Sequence, residues 1–579
     1  SCRSRFPLQI NCKPSPEFPS LNDDEGYRLE IGPTSVRIDA SQEWGVLHAL
    51  ATIIQLLSSD DEGFYLPQIL VEDEPRFSWR GLMVDVARHF ISIETLERSL
   101  DVMSFYKLNV LHLHLSDDQG FRFLGSTYPE LADVKACYTV SELESLVHYA
   151  ADRGIRIVPE LDVPGHVASW LVAHPDWGLG EKVSKPSVRF GIHECCLDPA
   201  NPEVVQAVSA LFREIAQVFP DAYLHFGGDE VFINGIDIVA MQARFNGIIV
   251  NLLHDLHKTP VAWDEVVNED LSRDVVVQSW RGQNALEGAL ASGFDGISSA
   301  PYYIDLFYPA DLHYLQDPDG GGPDPAADAR LAHVSDGIVA TNEVWRALSG
   351  APSNPKKNRR GNVLGAEACM WTELVTDELL DLRVWSRMPA IAERFWSDAS
   401  VRDVDEMYRR LSESHLVLAR TGLVDLEAIM WRHLARFGLK PEEICGLIPL
   451  IEMLEPVKWY ARLLGEATIR SRVSRASENS AKRPYDTLTK LNRIIDIIPP
   501  ESLATRYFER EQNELKLRET SIGWRQQREW VTGCSDRYPA IAELNEISTS
   551  LFLLSEQLSL YLDGGKASVP ESALETKGE

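Results

Sequence analysis

Cysteine is scarce, eight of 579 residues, too few for a disulfide scaffold. No Cys-x-x-Cys pair or Cys/His zinc spacing occurs. Cys2 and Cys12 could pair near the N-terminus. Cys195 and Cys196 are adjacent, and the other cysteines read as buried or free thiols. No uninterrupted apolar run reaches the length of a membrane-spanning helix, and no repeat of fixed period is present. Positive charge is also short: 56 Lys and Arg stand against 87 Asp and Glu, a net charge of −31. Such a surface repels phosphate backbones and anionic lipids, which argues against nucleic acid and membrane partners. A neutral or cationic substrate is compatible with it. The first residue is Ser1, so removal of a leader is expected, and Ser1-Cys2 would suit a lipoprotein cleavage site. Export is slightly favoured over a cytoplasmic location.

What is present is an average globular composition, 44% hydrophobic and 25% charged, which excludes wholesale disorder. Residues 1–74 read as a small α/β domain: Tyr27 to Ile38 as strand, turn, strand, and Gln42 to Leu57 as a helix with one apolar face. Residues 75–400 read as a barrel, with apolar runs at Gly81–Ala87, Asn109–Asp117, Ile155–Asp162, Ala222–Glu230, Pro260–Glu265, Val275–Trp280, Gly296–Ala300 and Val363–Trp371. Near-continuous apolar runs suit parallel strands buried on both faces. Helical spacing lies between several of them, as over Ile93–Leu108. Ser141 and Glu144 predict a capping box, with Gly154 closing that helix, and Asn201-Pro202 predicts the start of a helix to Phe219. Eight strands alternating with helices predict a (β/α)8 TIM barrel. The link between strands five and six is short for a full helix. Two loops fall between strands seven and eight, an acidic Gly/Pro-rich one at Asp317–Asp328 and a basic one at Pro352–Gly361. Residues 401–579 read as a helical region, with apolar spacing of three and four over Val404–Thr421, Tyr485–Ile498, Arg506–Trp530 and Ile541–Leu562. Trp431, Trp459, Trp524 and Trp530 there read as core or interface.

In a barrel enzyme the site lies at the C-terminal ends of the strands. Those ends carry Arg88, Asp117-Asp118, Asp162 with His166, Asp229-Glu230, Trp263, Trp280, Tyr303 with Asp305, and Trp371 with Glu373. Tryptophan faces stack on the C–H faces of sugars, and carboxylates and arginine hold hydroxyl groups, so the inventory reads as a carbohydrate pocket. At its centre stands His225-Phe226-Gly227-Gly228-Asp229-Glu230, where two glycines permit close backbone approach and two carboxylates leave the strand end in different directions. Alone, Gly-Asp-Glu would read as a solvated acidic loop or a cation site. Among tryptophans at the end of strand four it reads as acid/base machinery.

These residues stand in motifs that resemble glycoside hydrolase family 20, the β-N-acetylhexosaminidases. The motifs are Arg80-Gly-Leu-Met-Val-Asp85-Val-Ala-Arg88-His89-Phe90, the Leu108–Gly120 run, Val158-Pro-Glu160-Leu-Asp162-Val-Pro-Gly165-His166, the His225–Glu230 run, Trp263-Asp-Glu265, Tyr303-Ile-Asp305 and Gly365–Glu373. The resemblance covers about residues 75–400. Residues 1–72 are similar to the end of the domain that precedes the barrel in this family, and its start is expected to be missing.

The resemblance implies exo-hydrolysis of terminal β-linked GlcNAc or GalNAc with retention. The sugar's own 2-acetamido oxygen acts as nucleophile through an oxazolinium ion, outside the usual two-carboxylate scheme. Glu230 would be the acid/base, Asp229 would hold the acetamido N–H, and Tyr303 would bond the acetamido oxygen. Trp263, Trp280 and Trp371 would wall the pocket, and Arg88 and Glu373 would bind the outer hydroxyls at C3, C4 and C6. Asp117, Asp162 and His166 would support Glu230, and Asp305 would line the leaving-group side. Arg88 could also simply pair with Asp117, and reads as doing both. His166 could be a core histidine. His112 and His114 share a strand face and could bind metal, but they precede the strand end and the family needs none, so neither metal nor cofactor is expected. Trp170, Trp177 and Trp345 stay open between outer subsites and packing. The partner is an oligosaccharide or glycan, and a homodimer built partly from the C-terminal helices is expected. Alternatives are a metal-dependent barrel hydrolase, a silent sugar-binding protein, a glycosidase with a carboxylate nucleophile, and lacto-N-biosidase activity, which would need a wider pocket.

Overall fold

Apolar and polar residues alternate along Tyr27–Ile31, and burial alternates with them. Such a strand covers a core on one face only. In the computed structural model, which describes residues 6–61, 63–323, 328, 330, 358–458, 485–510 and 514–566, it belongs to a four-stranded sheet. The strands are β1 (Leu8–Lys13), β2 (Tyr27–Ile31), β3 (Val36–Gln42) and, after helix α1 (Glu43–Leu56), β4 (Ile69–Asp73), in the order β1-β3-β2-β4. Leu29, Ile31, Val36 and Ile38 pack with Val46 and Ala49 of α1.

The eight apolar runs form a closed barrel of parallel strands in chain order. Its first half is β5 (Trp79–Asp85), α2 (Ile93–Phe105), β6 (Val110–His114), α3 (Val140–Ala151), β7 (Arg156–Glu160), α4 (Pro202–Val218) and β8 (Tyr223–His225). The second half is α5 (Ile238–Asp255), β9 (Thr259–Trp263), β10 (Val276–Ser279), α6 (Gln283–Ser292), β11 (Gly296–Ser298), β12 (Val363–Met370) and α7 (Met388–Trp396). The strands stop short of the sequence runs, so the polar residues that end those runs lie in loops at the barrel mouth. Between β9 and β10 the helix is replaced by one turn, Asp264–Val266. Asn201 caps α4 and Pro202 opens it.

Three expectations need correction. The box on α3 is Thr139 with Glu142, two residues before the predicted pair; Thr139 has the extended backbone an N-cap needs, and its hydroxyl reaches the Glu142 N–H. Tyr485–Ile498 is not one helix. Only Ile494–Ile497 turns helically, because the Asp486 and Thr489 side chains take the backbone groups of a turn and Pro499-Pro500 follows. Ile541–Leu562 starts its main helix only at Asn545. Arg506–Trp530 is helical where it is described, within Leu503–Arg510 and Glu514–Ser535. Helices at Leu426–Arg436 and Pro441–Ile451 were not predicted. Cys2, Trp345, Trp459 and most of the basic loop lie outside the described residues, and Cys12 is a free thiol. Among the described residues, no helix is long and apolar enough to cross a membrane.

The N-terminal sheet is joined to the barrel through a buried charge. Glu25 accepts from Arg80, from His48 Nε2 at 2.8 Å and from Asn109 Nδ2 at 2.9 Å. Burial alone would raise its pKa, but Arg80 and His48 outweigh it and bring the carboxyl down to about 2. Removing one member of such a cluster leaves an uncompensated charge in a dry place. Glu25→Ala is therefore expected to lower the unfolding free energy in urea by about 3–5 kcal/mol. A loss below about 1 kcal/mol would mean that the pair behaves like an exposed one.

Candidate active site

The parallel register sets Glu160 beside His114 on one neighbouring strand and beside His225 on the other. All three side chains are buried. Glu160 accepts from His114 Nδ1 at 2.6 Å and from the Trp263 indole N–H at 2.9 Å, and its oxygens lie 3.1 Å from His112 Nε2 and from His225 Nδ1, which itself accepts the Gly227 N–H at 3.0 Å. Deeper in the barrel, Glu367 takes His112 Nδ1 at 2.7 Å, Trp79 Nε1 at 2.9 Å and Gln278 Nε2 at 2.7 Å. Burial opposes charge on His112, but Glu367 and Glu160 outweigh it and raise its pKa to about 9. His114 is raised likewise against burial by Glu160 and Asp117. Both nitrogens of each ring lie within 3.1 Å of a carboxylate oxygen. Each of these ring nitrogens thus faces a carboxylate, and the pair reads as charge pairing.

From His114 the chain of charges runs outward. His114 Nε2 meets Asp117 at 2.8 Å, and Asp117 also takes Arg88 at 2.7 Å and His166 Nδ1 at 3.3 Å. The other side of His166 faces the two carboxylates of the loop after β8, Glu230 at 3.6 Å and Asp229 at 3.9 Å. His166 and Glu230 have left-handed backbones, φ 54° and 48°, strain that accumulates at functional sites. Gly227 and Gly228 make the turn possible: their φ values are 70° and 94°, and a Cβ on Gly227 would sit 1.7 Å from Asp162 Oδ1. The Gly228 N–H donates to that same oxygen at 3.1 Å.

Four carboxyls crowd this loop. Burial raises Asp229, and Asp162 and Glu230 add to it. Burial pushes Asp162 up to about 7, and burial with the charge of Asp229 pushes Glu265 up to about 8. Glu265 also accepts the Glu230 N–H at 3.2 Å. Carboxyls perturbed in opposite directions side by side mark acid/base sites; here Asp117 and Glu160, held far below the carboxylate range despite burial by Arg88 and by His114 respectively, adjoin three that are raised.

The aromatic residues form a cluster of their own. Trp263, Tyr303 and Trp371 pack with Met83 and Cys369, and Trp280 borders them. Trp263 lies 5.8 Å from Trp371, and Trp280 and Tyr303 are 6.4 Å apart at 23°. Trp280 is carried by a loop that Asp264 holds, accepting its N–H at 3.1 Å and pairing with Arg281 at 2.5 Å. Arg88 lies 4.8 Å over Trp371. Asp305 is buried in the turn after Tyr303. Burial raises the Glu373 carboxyl, opposed by Arg88.

All the predicted site residues thus converge on one end of the barrel. Trp170 and Trp177 do not join them: Trp170 is buried against Phe121 and Trp177 is stacked on His174. The sequence reading overlooked Glu160, Glu367 and His225 as a structural network, and Glu265 and Asp264 at the mouth. A signal existed: two carboxylates in the middle of apolar strands, with His112-x-His114 beside them, require charge partners.

Residues 77–399 match the family model described as glycosyl hydrolase family 20, catalytic domain, and residues 7–74 match that family's domain 2. The β-hexosaminidase subunit beta of Mus musculus is 31% identical over 451 residues, covering 72% of this chain and 76% of that protein. The chitobiase of Flavobacterium johnsoniae is 32% identical and superposes with a TM-score of 0.81, covering 98% of this chain and 85% of that one. The N-acetyl-β-hexosaminidase of Streptomyces plicatus, solved in complex with Thio-NAglucal, is 28% identical with a TM-score of 0.58, covering 72% and 83%.

The raised carboxyls carry a pH signature. Unfolded, Asp162 and Glu265 would titrate near 3.8 and 4.5; folded, near about 7 and about 8. Their contribution is therefore complete below the unfolded values and is lost as pH rises through the folded ones. The melting temperature is expected to fall between about pH 5 and pH 8, and to fall less steeply in Glu265→Gln. Parallel calorimetric curves for the two proteins would exclude a raised Glu265.

Proposed function

This chain belongs to glycoside hydrolase family 20, and from that premise we propose how its residues perform the family's reaction. The protein is an exo-acting β-N-acetylhexosaminidase, releasing terminal β-linked GlcNAc or GalNAc from glycans or chitooligosaccharides with retention. The observation that carries the assignment of residues is the Asp229-Glu230 pair, both within 4 Å of His166 and following the strand beside the one that ends in Trp263 of the aromatic cluster. Glu230, 27% exposed at its side chain against 10% for Asp229, is the member open to the leaving group. It protonates the glycosidic oxygen while the acetamido oxygen attacks C1, then takes a proton from the water that opens the oxazolinium ion. Asp229 holds the acetamido N–H and balances the developing positive charge. Tyr303 donates to the acetamido oxygen, aligning it for attack. Trp263, Trp280 and Trp371 enclose the acetamido methyl and sugar ring, and Arg88 and Glu373 take the outer hydroxyls. Asp305 borders the leaving group. Asp117, Asp162 and His166 fix the loop on which Glu230 stands.

The division into 1–74, 75–400 and 401–579 belongs to the same reading, as does a homodimer. Leu515, Ile522, Leu560 and Tyr561 are exposed on the helices Glu514–Ser535 and Asn545–Leu562, and an apolar face of this kind favours a second copy. Light scattering is expected to give a dimer for the full chain and a monomer for Leu515→Glu/Tyr561→Glu; a monomeric parent would remove the proposal.

Matched aryl β-glycosides of GlcNAc, GalNAc and glucose, with a thiazoline mimic of the oxazolinium ion, test the mechanism. Turnover of the two acetamido sugars alone, blocked by the thiazoline, is expected. Glu230→Gln should lose about 10²–10⁴-fold on poor leaving groups and much less on activated ones. Asp229→Asn should slow the first step and weaken thiazoline binding. Equal losses of Glu230→Gln on both leaving groups, or thiazoline binding indifferent to Asp229→Asn, would refute the respective role.

A further inference from the structure

The C-terminal region carries no catalytic motif, yet part of it reaches the barrel mouth. Tyr485 is buried in one apolar cluster with Phe190, Phe307 and Leu374, and Leu491 packs against it. Each partner is linked through the chain or one contact to a residue of the sugar site. Leu374 follows Glu373, and Phe307 lies two residues beyond Asp305. Phe190 is 6.1 Å from the ring of His89, the neighbour of Arg88, whose Nδ1 lies 2.6 Å from the Thr372 carbonyl beside Glu373. The backbone joins too: the Thr487 N–H donates to the Val188 carbonyl at 2.9 Å.

Two buried guanidinium groups lock the arrangement. Arg383 donates to the carbonyls of Ile498 at 2.7 Å and of Asp496, and lies 4.7 Å from the Phe307 ring. Four residues on, Arg387 donates to the carbonyls of Ile304 at 2.7 Å and Tyr308 at 2.8 Å, on either side of Asp305. Segment 485–498 and the turn after Tyr303 are therefore held by one pair of arginines.

We propose that Tyr485–Leu491 is a wall of the sugar pocket. With Phe190 and Leu374 it closes the end beyond Arg88 and Glu373, so that a terminal sugar bearing a substituent at O3, O4 or O6 meets a fixed apolar surface. The C-terminal region thereby sets which glycan ends are accepted. The inference rests on Arg88 and Glu373 as the outer-hydroxyl contacts. Its physical basis is that a close-packed cluster does not yield to an added group without losing its own contacts, and a clash is as effective a discriminator as an attraction.

The test uses the full chain and aryl N-acetyl-β-glucosaminide, its 3-, 4- and 6-O-methyl ethers, and the aryl glycoside of lacto-N-biose, which carries galactose on O3. The parent should favour the unsubstituted sugar. Tyr485→Ala and Leu491→Ala should raise relative kcat/KM for at least one ether by about tenfold or more, the scale of one methylene in a pocket. The change should enter through KM, with thiazoline affinity kept within about threefold, a smaller factor than that methylene effect. Tyr485→Phe should keep the parent's ratios. Leu491 is only half-buried, so its variant answers the question if Tyr485→Ala does not fold. Unchanged ratios in a variant that melts like the parent would reduce the segment to a packing anchor and overturn the proposal, as would a parent indifferent to the ethers. A parent inactive on the unsubstituted sugar would instead overturn the proposed activity.

Discussion

Glu160 is the constraint on which the site depends. It stands inside the barrel with no exposure and is approached by three histidines and one indole N–H. A carboxylate in such a place is tolerable only if every lone pair is used. Meeting that requirement fixes the rotamers of His112, His114, His225 and Trp263 together. Beyond an aliphatic layer of Val110, Val158, Val261, Val276 and Ile297, the barrel interior is thereby filled with charged and polar groups, and the strands carrying them cannot shift register independently.

The same alternation delivers order to the chemistry. From Glu160 it passes through His114 to Asp117, then to Arg88 and His166, and from His166 to the two loop carboxylates. Each link is a charge-assisted contact in a poorly solvated place, where such contacts are strong. The last link differs from the rest. At the mouth, burial raises the carboxyls of Asp162, Asp229 and Glu265, and neighbouring carboxylates add to it. The N-terminal sheet and the C-terminal region are attached to this barrel by buried ions as well, Glu25 with Arg80 on one side and Arg383 with main-chain carbonyls on the other.

The strand order and most of the site residues were legible in the chain. Parallel strands buried on both faces leave near-continuous apolar runs, and their polar ends fall at one rim, so Arg88, Asp229, Glu230, Trp263 and Trp371 could be read as neighbours. The cap of α3 was misread because Ser-x-x-Glu and Thr-x-x-Glu occur two residues apart, and only the backbone conformation of Thr139 chooses between them. The helix expected over Tyr485–Ile498 failed because its apolar spacing serves another purpose: Tyr485 and Leu491 are spent on the barrel mouth, not on a helix face.

What the sequence by itself determined is whatever depends on local pattern: eight strands, the glycine turn before Asp229, the adjacency of the two carboxylates, and an acidic chain poor in cysteine. Only the tertiary structure decided which charges answer one another. Glu160 meets His225, and His112 meets Glu367, across strands far apart in the chain. Whether a carboxyl keeps or loses its proton depends on burial and on those distant partners, not on its neighbours in sequence. The union of the C-terminal segment with the sugar site was likewise invisible, because packing between remote apolar residues leaves no periodic trace in the chain.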